Sequence, residues 1–132
     1  MTITSIPVAA GDNFFVAIRA TNSSSAILLF ENLTQGVAYQ QTFNSPGASS
    51  NLQGSSAEWI VENERAGPLV NFGTITFTNI GAGTSTGANL NLATANLSSL
   101  VNLTSSNTIS SFLTRETILS DTSVEIVWAL PG

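Results

Sequence analysis

The sequence predicts an all-β fold, an antiparallel β-sandwich of jelly-roll or concanavalin-like type with about 8–10 strands. Runs of β-branched and aromatic residues recur at intervals of roughly ten residues. Clusters of Gly, Pro, Asn, Asp and Ser bound these runs, and no segment shows a sustained helical period. A chain of 132 residues is long enough for one core, so we expect a single domain over residues 1–132.

The first predicted strands are short runs rich in Ile, Val, Thr and Phe, which favour extended structure. Turn residues separate them in order: an Ala-Gly-Asp turn, a run of Asn and Ser, and a Thr-Gln-Gly turn. A long polar stretch then ends the group. These strands are residues 2–8, 13–21, 26–32 and 37–43.

The later predicted strands show the period of two that is typical of a half-buried strand. Ile75 and Phe77 alternate with Thr, which predicts that Ile and Phe face inward. Val124, Ile126 and Trp128 alternate with more exposed positions in the same way. These strands are residues 57–63, 69–79, 88–92, 109–119 and 123–129.

Residues 81–107 are rich in Ser, Thr, Asn and Ala, and their pattern leaves two alternatives open. Leu side chains spaced along this stretch fit one or two short strands. A short helix over residues 94–102 fits the same spacing.

The composition excludes several classes of chemistry. The chain has no Cys and no His, which excludes disulfides, thiol or Ser-His catalysis, and zinc sites built on these residues. The side chains left for chemistry are carboxylates, hydroxyls, amides and Tyr39. We expect no metal and no cofactor. Three Arg and no Lys, with a net charge of -5, argue against nucleic-acid binding and against a basic membrane-binding surface.

We expect the protein to be secreted. A surface of Ser, Thr and Asn changes charge little as pH falls, which suits acid-tolerant secreted proteins. No apolar run reaches the roughly 18 to 20 residues that a membrane-spanning helix needs. The candidate N-glycosylation sites are Asn22, Asn32, Asn96 and Asn102.

Three of the eight acidic residues lie between positions 58 and 64. On a strand, Glu58 and Glu62 share one face, while Trp59 and Val61 share the other. Two carboxylates on an apolar strand either have hydrogen-bonding partners or take part in chemistry. A carboxylate desolvated on an apolar sheet face holds its proton more readily, which suits proton exchange with an attacking water.

A long segment of the chain resembles the signature of the fungal glutamic peptidases (the eqolisins, family G1). Its two parts are Ser-Ala-Glu-Trp-Ile-Val-Glu at residues 56–62 and Gly-Pro-Leu-Val-Asn-Phe-Gly-Thr-Ile-Thr-Phe-Thr-Asn at residues 67–79. The resemblance implies a β-sandwich of two antiparallel sheets and a secreted endopeptidase active in acid. Further segments resemble the flanking strands of that family, namely residues 3–21, 30–36, 117–119 and 123–128.

The resemblance also implies a catalytic Gln and Glu pair. By position in the motif, the general acid/base is Glu62, with Glu58 as a supporting residue, and the Gln would hold the water and the oxyanion. Trp59, Asn63 and Glu64 are the expected substrate contacts. The family tends to carry Asp-Phe or Arg-Pro directly after the Glu, whereas this chain has Asn63 and Glu64.

The Gln of that pair has no counterpart in this chain, which resembles the second half of the family. The four glutamines match no Gln-bearing motif of the family; they are Gln35, Gln40, Gln41 and Gln53. A half-length chain would expose strand edges and an apolar face, so we expect either a homodimer or a separate N-terminal chain.

The sequence therefore leaves three functions open, and it does not decide whether the chain is an enzyme. The first is a glutamic-peptidase-like protein that is not proteolytic on its own. The second is the C-terminal chain of an active acid endopeptidase. The third is a small secreted fungal protein that binds a peptide or carbohydrate, or is immunologically active.

Overall fold

The computed structural model describes residues 3–62 and 69–129. Its sheets are all antiparallel, which confirms the predicted all-β class. Two 3-10 turns, Ala48–Ser50 and Leu92–Thr94, are the helical elements of the described ranges. The strands are β1 Phe14–Asn22, β2 Ser25–Asn32, β3 Val37–Asn44, β4 Thr74–Phe77, β5 Ala82–Gly83, β6 Asn89–Leu90, β7 Val101–Leu103, β8 Ile109–Phe112, β9 Thr114–Ser120 and β10 Ser123–Trp128.

Contacts along the chain cluster into two compact units, Met1–Ser55 and Ser56–Gly132. Strands β1 to β3 belong to the first unit and β4 to β10 to the second. Every ladder joins strands of the same unit. The single domain expected over residues 1–132 stays a prediction. Within the described ranges, no helix has the length and apolar character needed to cross a membrane.

The first unit contains a three-stranded meander in the order β1-β2-β3. Asn22 begins the first turn, since its Oδ1 accepts the Ser24 N–H at 2.8 Å. The second turn needs a residue with positive φ, which Gly36 supplies at 66°. The Gly36 N–H donates to the Asn32 carbonyl at 2.9 Å and closes this turn. These local interactions set the register of the meander.

Cross-strand partners share a face, so the register of the three strands shows which side chains lie together. One of the two faces carries no charged side chain. The rings of Phe14 and Phe30 stack on it with centroids 5.2 Å apart. Ile18 is 75% exposed, so the face is only partly covered. We name it the first-sheet apolar face; its members are Phe14, Val16, Ile18, Ala20, Ala26, Leu28, Phe30, Asn32, Val37, Tyr39, Gln41 and Phe43.

The second unit is built around β10, the middle strand of the sheet β4-β10-β9. The alternation predicted for β4 and β10 is confirmed, with Val124 and Ile126 buried on β10. Val124 also joins Ile80 and Leu92 in a small buried cluster, the second-unit core. Two short ladders, β5 with β6 and β7 with β8, complete the unit.

Two predicted strands are wrong within the described residues. Residues 3–8 form no strand. Pro7 has no N–H to give to a ladder, and its carbonyl accepts a hydrogen bond from the side chain of Asn32 at 2.9 Å. Residues 57–62 form no strand either, because their backbone makes no hydrogen bond with other described backbone. The alternation of exposure expected there is nevertheless present.

Side-chain and backbone turns shorten the other predicted strands. The strand expected over residues 69–79 begins only at Thr74, because Asn71 Oδ1 accepts the Gly73 N–H at 2.8 Å and Gly73 has a φ of 69°. The strand expected over residues 109–119 is divided at Leu113, whose N–H donates to the Leu100 carbonyl.

The open segment 81–107 forms short strands rather than the alternative helix. Asn91 ends β6, because its Oδ1 accepts the Ala93 N–H at 3.0 Å and caps the turn Leu92–Thr94. The strand expected over residues 88–92 is therefore reduced to Asn89–Leu90.

Candidate functional site

The signature segment, residues 56–62, separates its aromatic and acidic side chains. Trp59 packs against the second-unit core, and Val61 is half-buried. Glu58 and Glu62 are both exposed. The face assignment predicted from the sequence is therefore correct in exposure, although the segment is not a paired strand.

Glu62 does not lie in a desolvated site in this structure. Its side chain is exposed and has no hydrogen bond or ion pair with another described residue, and the same holds for Glu58. The apolar environment expected around Glu62 is thus absent among the described residues. The catalytic role of Glu62 and the supporting role of Glu58 stay predictions.

The expected substrate contacts divide into two groups. Trp59 is half-buried against the second-unit core, which gives it a structural role, so substrate binding by this side chain stays a prediction. Asn63 and Glu64 lie outside the described residues.

The structure places a carboxylate on an apolar sheet face at a position that the sequence analysis missed, Glu116. Glu116 on β9 pairs with Ile126 on β10, and Ile126 pairs in turn with Ile75 on β4. These partners share a face, so Glu116 lies in a row with two Ile side chains. The signal was available, since Glu116 lies two residues before Ile118 in the run predicted as residues 109–119 and therefore shares its face.

Hydroxyl groups hold the Glu116 carboxylate. Thr114, only 1% exposed, donates from Oγ1 to Glu116 Oε1 at 2.5 Å and accepts the Leu100 N–H at 2.9 Å. The Ser99 hydroxyl donates to Glu116 Oε2. Both carboxylate oxygens are therefore fixed by neutral donors, which accounts for the half-buried position of Glu116.

A cleft of about 410 Å³ opens beside this carboxylate. Phe112, which is exposed, and Arg115 line it together with Glu116. No group of three or more acidic side chains that could hold a metal ion exists within the described ranges. Because its lining includes one Glu, one Arg and two hydroxyl side chains that hold the Glu, the cleft offers hydrogen bonds and two opposite charges to a ligand.

Comparison with known proteins decides the family. Residues 1–128 match the Peptidase A4 family, which comprises the glutamic peptidases. This chain belongs to that family. Aspergilloglutamic peptidase from Aspergillus niger is similar in structure, with a TM-score of 0.78 and 30% sequence identity over 96% of this chain and 72% of that chain. A search of curated proteins finds no match.

A second solved glutamic peptidase supports the fold alone. Scytalido-glutamic peptidase, solved with a peptide-based transition state analog, has a TM-score of 0.64 and 20% identity. The match covers 94% of this chain and 62% of that chain. The predicted β-sandwich class is confirmed by the likeness to the glutamic peptidases.

The glutamines of this glutamic peptidase family member all lie in the first unit, Met1–Ser55. Gln35 Nε2 donates to Asp12 at 3.0 Å, and Gln53 Nε2 donates to the Asn51 carbonyl at 3.3 Å. Gln41 accepts a hydrogen bond from the Tyr39 hydroxyl at 3.1 Å. Gln40 is exposed on β3. The unit that contains Glu62 has no Gln of its own.

The structure distinguishes among the four candidate glycosylation sites of this family member. Asn22, Asn96 and Asn102 are exposed. Asn32 is fully buried, and its Nδ2 donates to the Pro7 carbonyl and to Asp12. The folded protein therefore does not offer Asn32 as a glycan acceptor, and its role in this structure is to hold neighbouring loops.

Proposed function

We propose that this chain is a secreted, glutamic-peptidase-like fungal protein that does not cleave peptides by itself. The observation that carries the proposal is the isolation of Glu62, which is exposed and has no hydrogen-bonding partner among the described residues. A catalytic pair needs an amide placed beside the carboxylate to hold the water and the oxyanion. Family membership supports the ancestry of the signature.

An acid-peptidase assay tests this proposal. The purified chain is incubated with a quenched fluorescent peptide in acid, at about pH 3–4, the range that the resemblance to the glutamic peptidases implies. We expect no cleavage above the blank, either for the wild type or for Glu62→Gln. Cleavage by the wild type that Glu62→Gln abolishes and Glu58→Gln retains would contradict the proposal.

The second candidate function is a split enzyme, in which a Gln-bearing chain completes the site. It is favoured by the share of the Aspergillus niger peptidase that this chain spans, 72% of its length. In the same assay, the Gln-bearing segment of that peptidase is added as a separate chain. Cleavage by the mixture that depends on Glu62 would support the split enzyme, and an inactive mixture would exclude it for this partner.

We also infer that a second copy of the chain, or an additional chain, covers the first-sheet apolar face. Support comes from its composition and exposure, since it carries no charge and leaves Ile18 75% exposed. Exposed apolar patches of this kind mark contact surfaces in soluble proteins.

A further inference from the structure

We propose that the cleft beside β9 binds a short unblocked peptide, with Glu116 holding its ammonium group and Arg115 its carboxylate. This binding site is separate from the catalytic role proposed for Glu62, and it stands on different residues. It stands on three features of the cleft: a carboxylate and a guanidinium that have no charged partner in the described part of the chain, and the exposed residue Phe112.

The negative charge of Glu116 has no cationic partner among the described residues. Its hydrogen bonds come from the hydroxyls of Ser99 and Thr114, which carry no charge. Two carboxylate oxygens offer about four lone-pair sites, so acceptor capacity is left for further N–H donors. An ammonium group would supply both the donors and the missing positive charge.

Arg115 lines the same cleft but forms no ion pair within the described ranges. Arg115 and Glu116 are neighbours on a strand and start from opposite faces, but β9 is the edge strand of its sheet, so both residues border the cleft that opens along this edge. A guanidinium binds carboxylates through two parallel hydrogen bonds. One wall of the cleft therefore suits an anion and another a cation, the pattern of a zwitterionic ligand.

The size and the remaining wall of the cleft suit a peptide of a few residues. It is an open depression of about 410 Å³ and not an enclosed cavity, so a bound peptide would stay partly exposed to solvent. The charged ends of an extended dipeptide are separated by roughly 7 Å, given about 3.5 Å per residue. The ring of Phe112 is 52% exposed and offers an apolar surface for the side chain of the bound peptide.

The test compares three peptides that differ only at their ends. Glycyl-phenylalanine has both charges, its N-acetyl form lacks the ammonium group, and its C-terminal amide lacks the carboxylate. Binding to the full chain is measured by isothermal titration calorimetry near neutral pH, about pH 7, where the two free ends of the peptide carry opposite charges. We expect each blocked peptide to bind about tenfold more weakly or worse, the loss typical of one charge-assisted hydrogen bond. Equal affinity for all three peptides would overturn the proposal without any substitution.

Matched variants assign the two ends. Glu116→Gln keeps the shape and one acceptor oxygen, and it should weaken the free dipeptide about tenfold while leaving the N-acetyl peptide unchanged. Arg115→Gln should weaken binding of the free dipeptide and leave binding of the C-terminal amide unchanged. Glu125→Gln is the control, because Glu125 on β10 pairs with Thr117 and lies on the opposite face from Glu116. Loss of affinity in the control equal to that in Glu116→Gln would contradict the assignment.

Discussion

The buried side chain of Asn32 donates a hydrogen bond of 2.7 Å to the Asp12 carboxylate. Its amide nitrogen also donates to the Pro7 carbonyl, and its oxygen accepts the Gln35 N–H at 3.1 Å. One amide thus joins the segment before β1 to the turn after β2. Two connecting segments of the first unit therefore depend on a side chain that the sequence presents as a glycosylation site.

Removal of this amide should destabilise the protein. Asn32→Ala removes the side-chain donor to the Pro7 carbonyl and one of the three donors to the Asp12 carboxylate, so the free energy of unfolding should fall by about 1–3 kcal/mol. Urea denaturation followed by circular dichroism measures the change. Asn102→Ala is the control, because Asn102 is an exposed residue in a second sequon, and its substitution should change stability by less than about 0.5 kcal/mol. Equal effects of the two substitutions would contradict the structural role of Asn32.

The Asp12 network should make stability depend on pH in acid. The hydrogen bond from Asn32 and then the N–H of Ala9 lower the pKa of Asp12 from its ordinary value of 3.8, and the Gln35 amide lowers it by less, while desolvation opposes them. The folded state therefore binds fewer protons than the unfolded state in this range. The stabilisation is fully present above the ordinary pKa and is lost as pH falls through the lower pKa of the folded state.

Substitution of Asp12 should remove this pH dependence. Asp12→Asn should reduce the free energy of unfolding near neutral pH, and its difference from the wild type should shrink as pH falls below 3.8. Urea denaturation at a series of pH values measures both curves. Asp121→Asn is the control, since Asp121 is exposed and its side chain has no hydrogen bond with a described residue. A difference between wild type and Asp12→Asn that stays constant across this range would contradict the prediction.

Two leucines separated by one residue should differ strongly in their contribution to stability. Leu92 is 5% exposed in the second-unit core, whereas Leu90 is 49% exposed on β6. Leu92→Ala should lower the free energy of unfolding by about 2–5 kcal/mol through lost burial and cavity formation. Leu90→Ala should cost less than half as much. Thermal unfolding of the two variants checks this, and equal costs would exclude the core position of Leu92.

A charge on the first-sheet apolar face should prevent association if a second copy covers this face. Ile18→Asp places a carboxylate at the most exposed position of the face, where burial in a dimer would be costly. Sedimentation velocity over a concentration series should show wild-type dimers and Ile18→Asp monomers. Thr42→Asp, on the opposite face of the same sheet, should still dimerise. A wild type that remains monomeric at all concentrations would contradict the homodimer.

Much of the fold could be predicted because local chemistry determines it. The turns at Asn22 and Gly36 and the alternation around Ile126 depend on neighbours in the sequence, and the strands beside them lie where expected. The strand expected at residues 57–63 is absent over its described part, residues 57–62, because a strand also needs a paired neighbour, which one segment cannot reveal. The turn at Gly73 was missed because it depends on a single local hydrogen bond, in which the Asn71 side chain accepts the Gly73 N–H.

The candidate site was harder to predict than the fold. Motif spacing directed attention to Glu62, but whether a carboxylate is desolvated depends on which strands lie beside it. Glu116 lies at an inward-facing position of an alternating run. That Ser99 and Thr114 hold its carboxylate can be recognised only when β9 is placed beside residues 99–100. Hydroxyl-rich sequences offer many such partners, so spacing alone does not single them out.

The hydroxyl groups around Glu116 have a consequence for how the cleft wall responds to salt. An Arg–Glu pair at the surface is held by the attraction of two charges, which dissolved salt screens. The Ser99 hydroxyl carries no charge and holds the Glu116 carboxylate through a hydrogen bond alone. Added salt should therefore leave this side of the cleft wall in place.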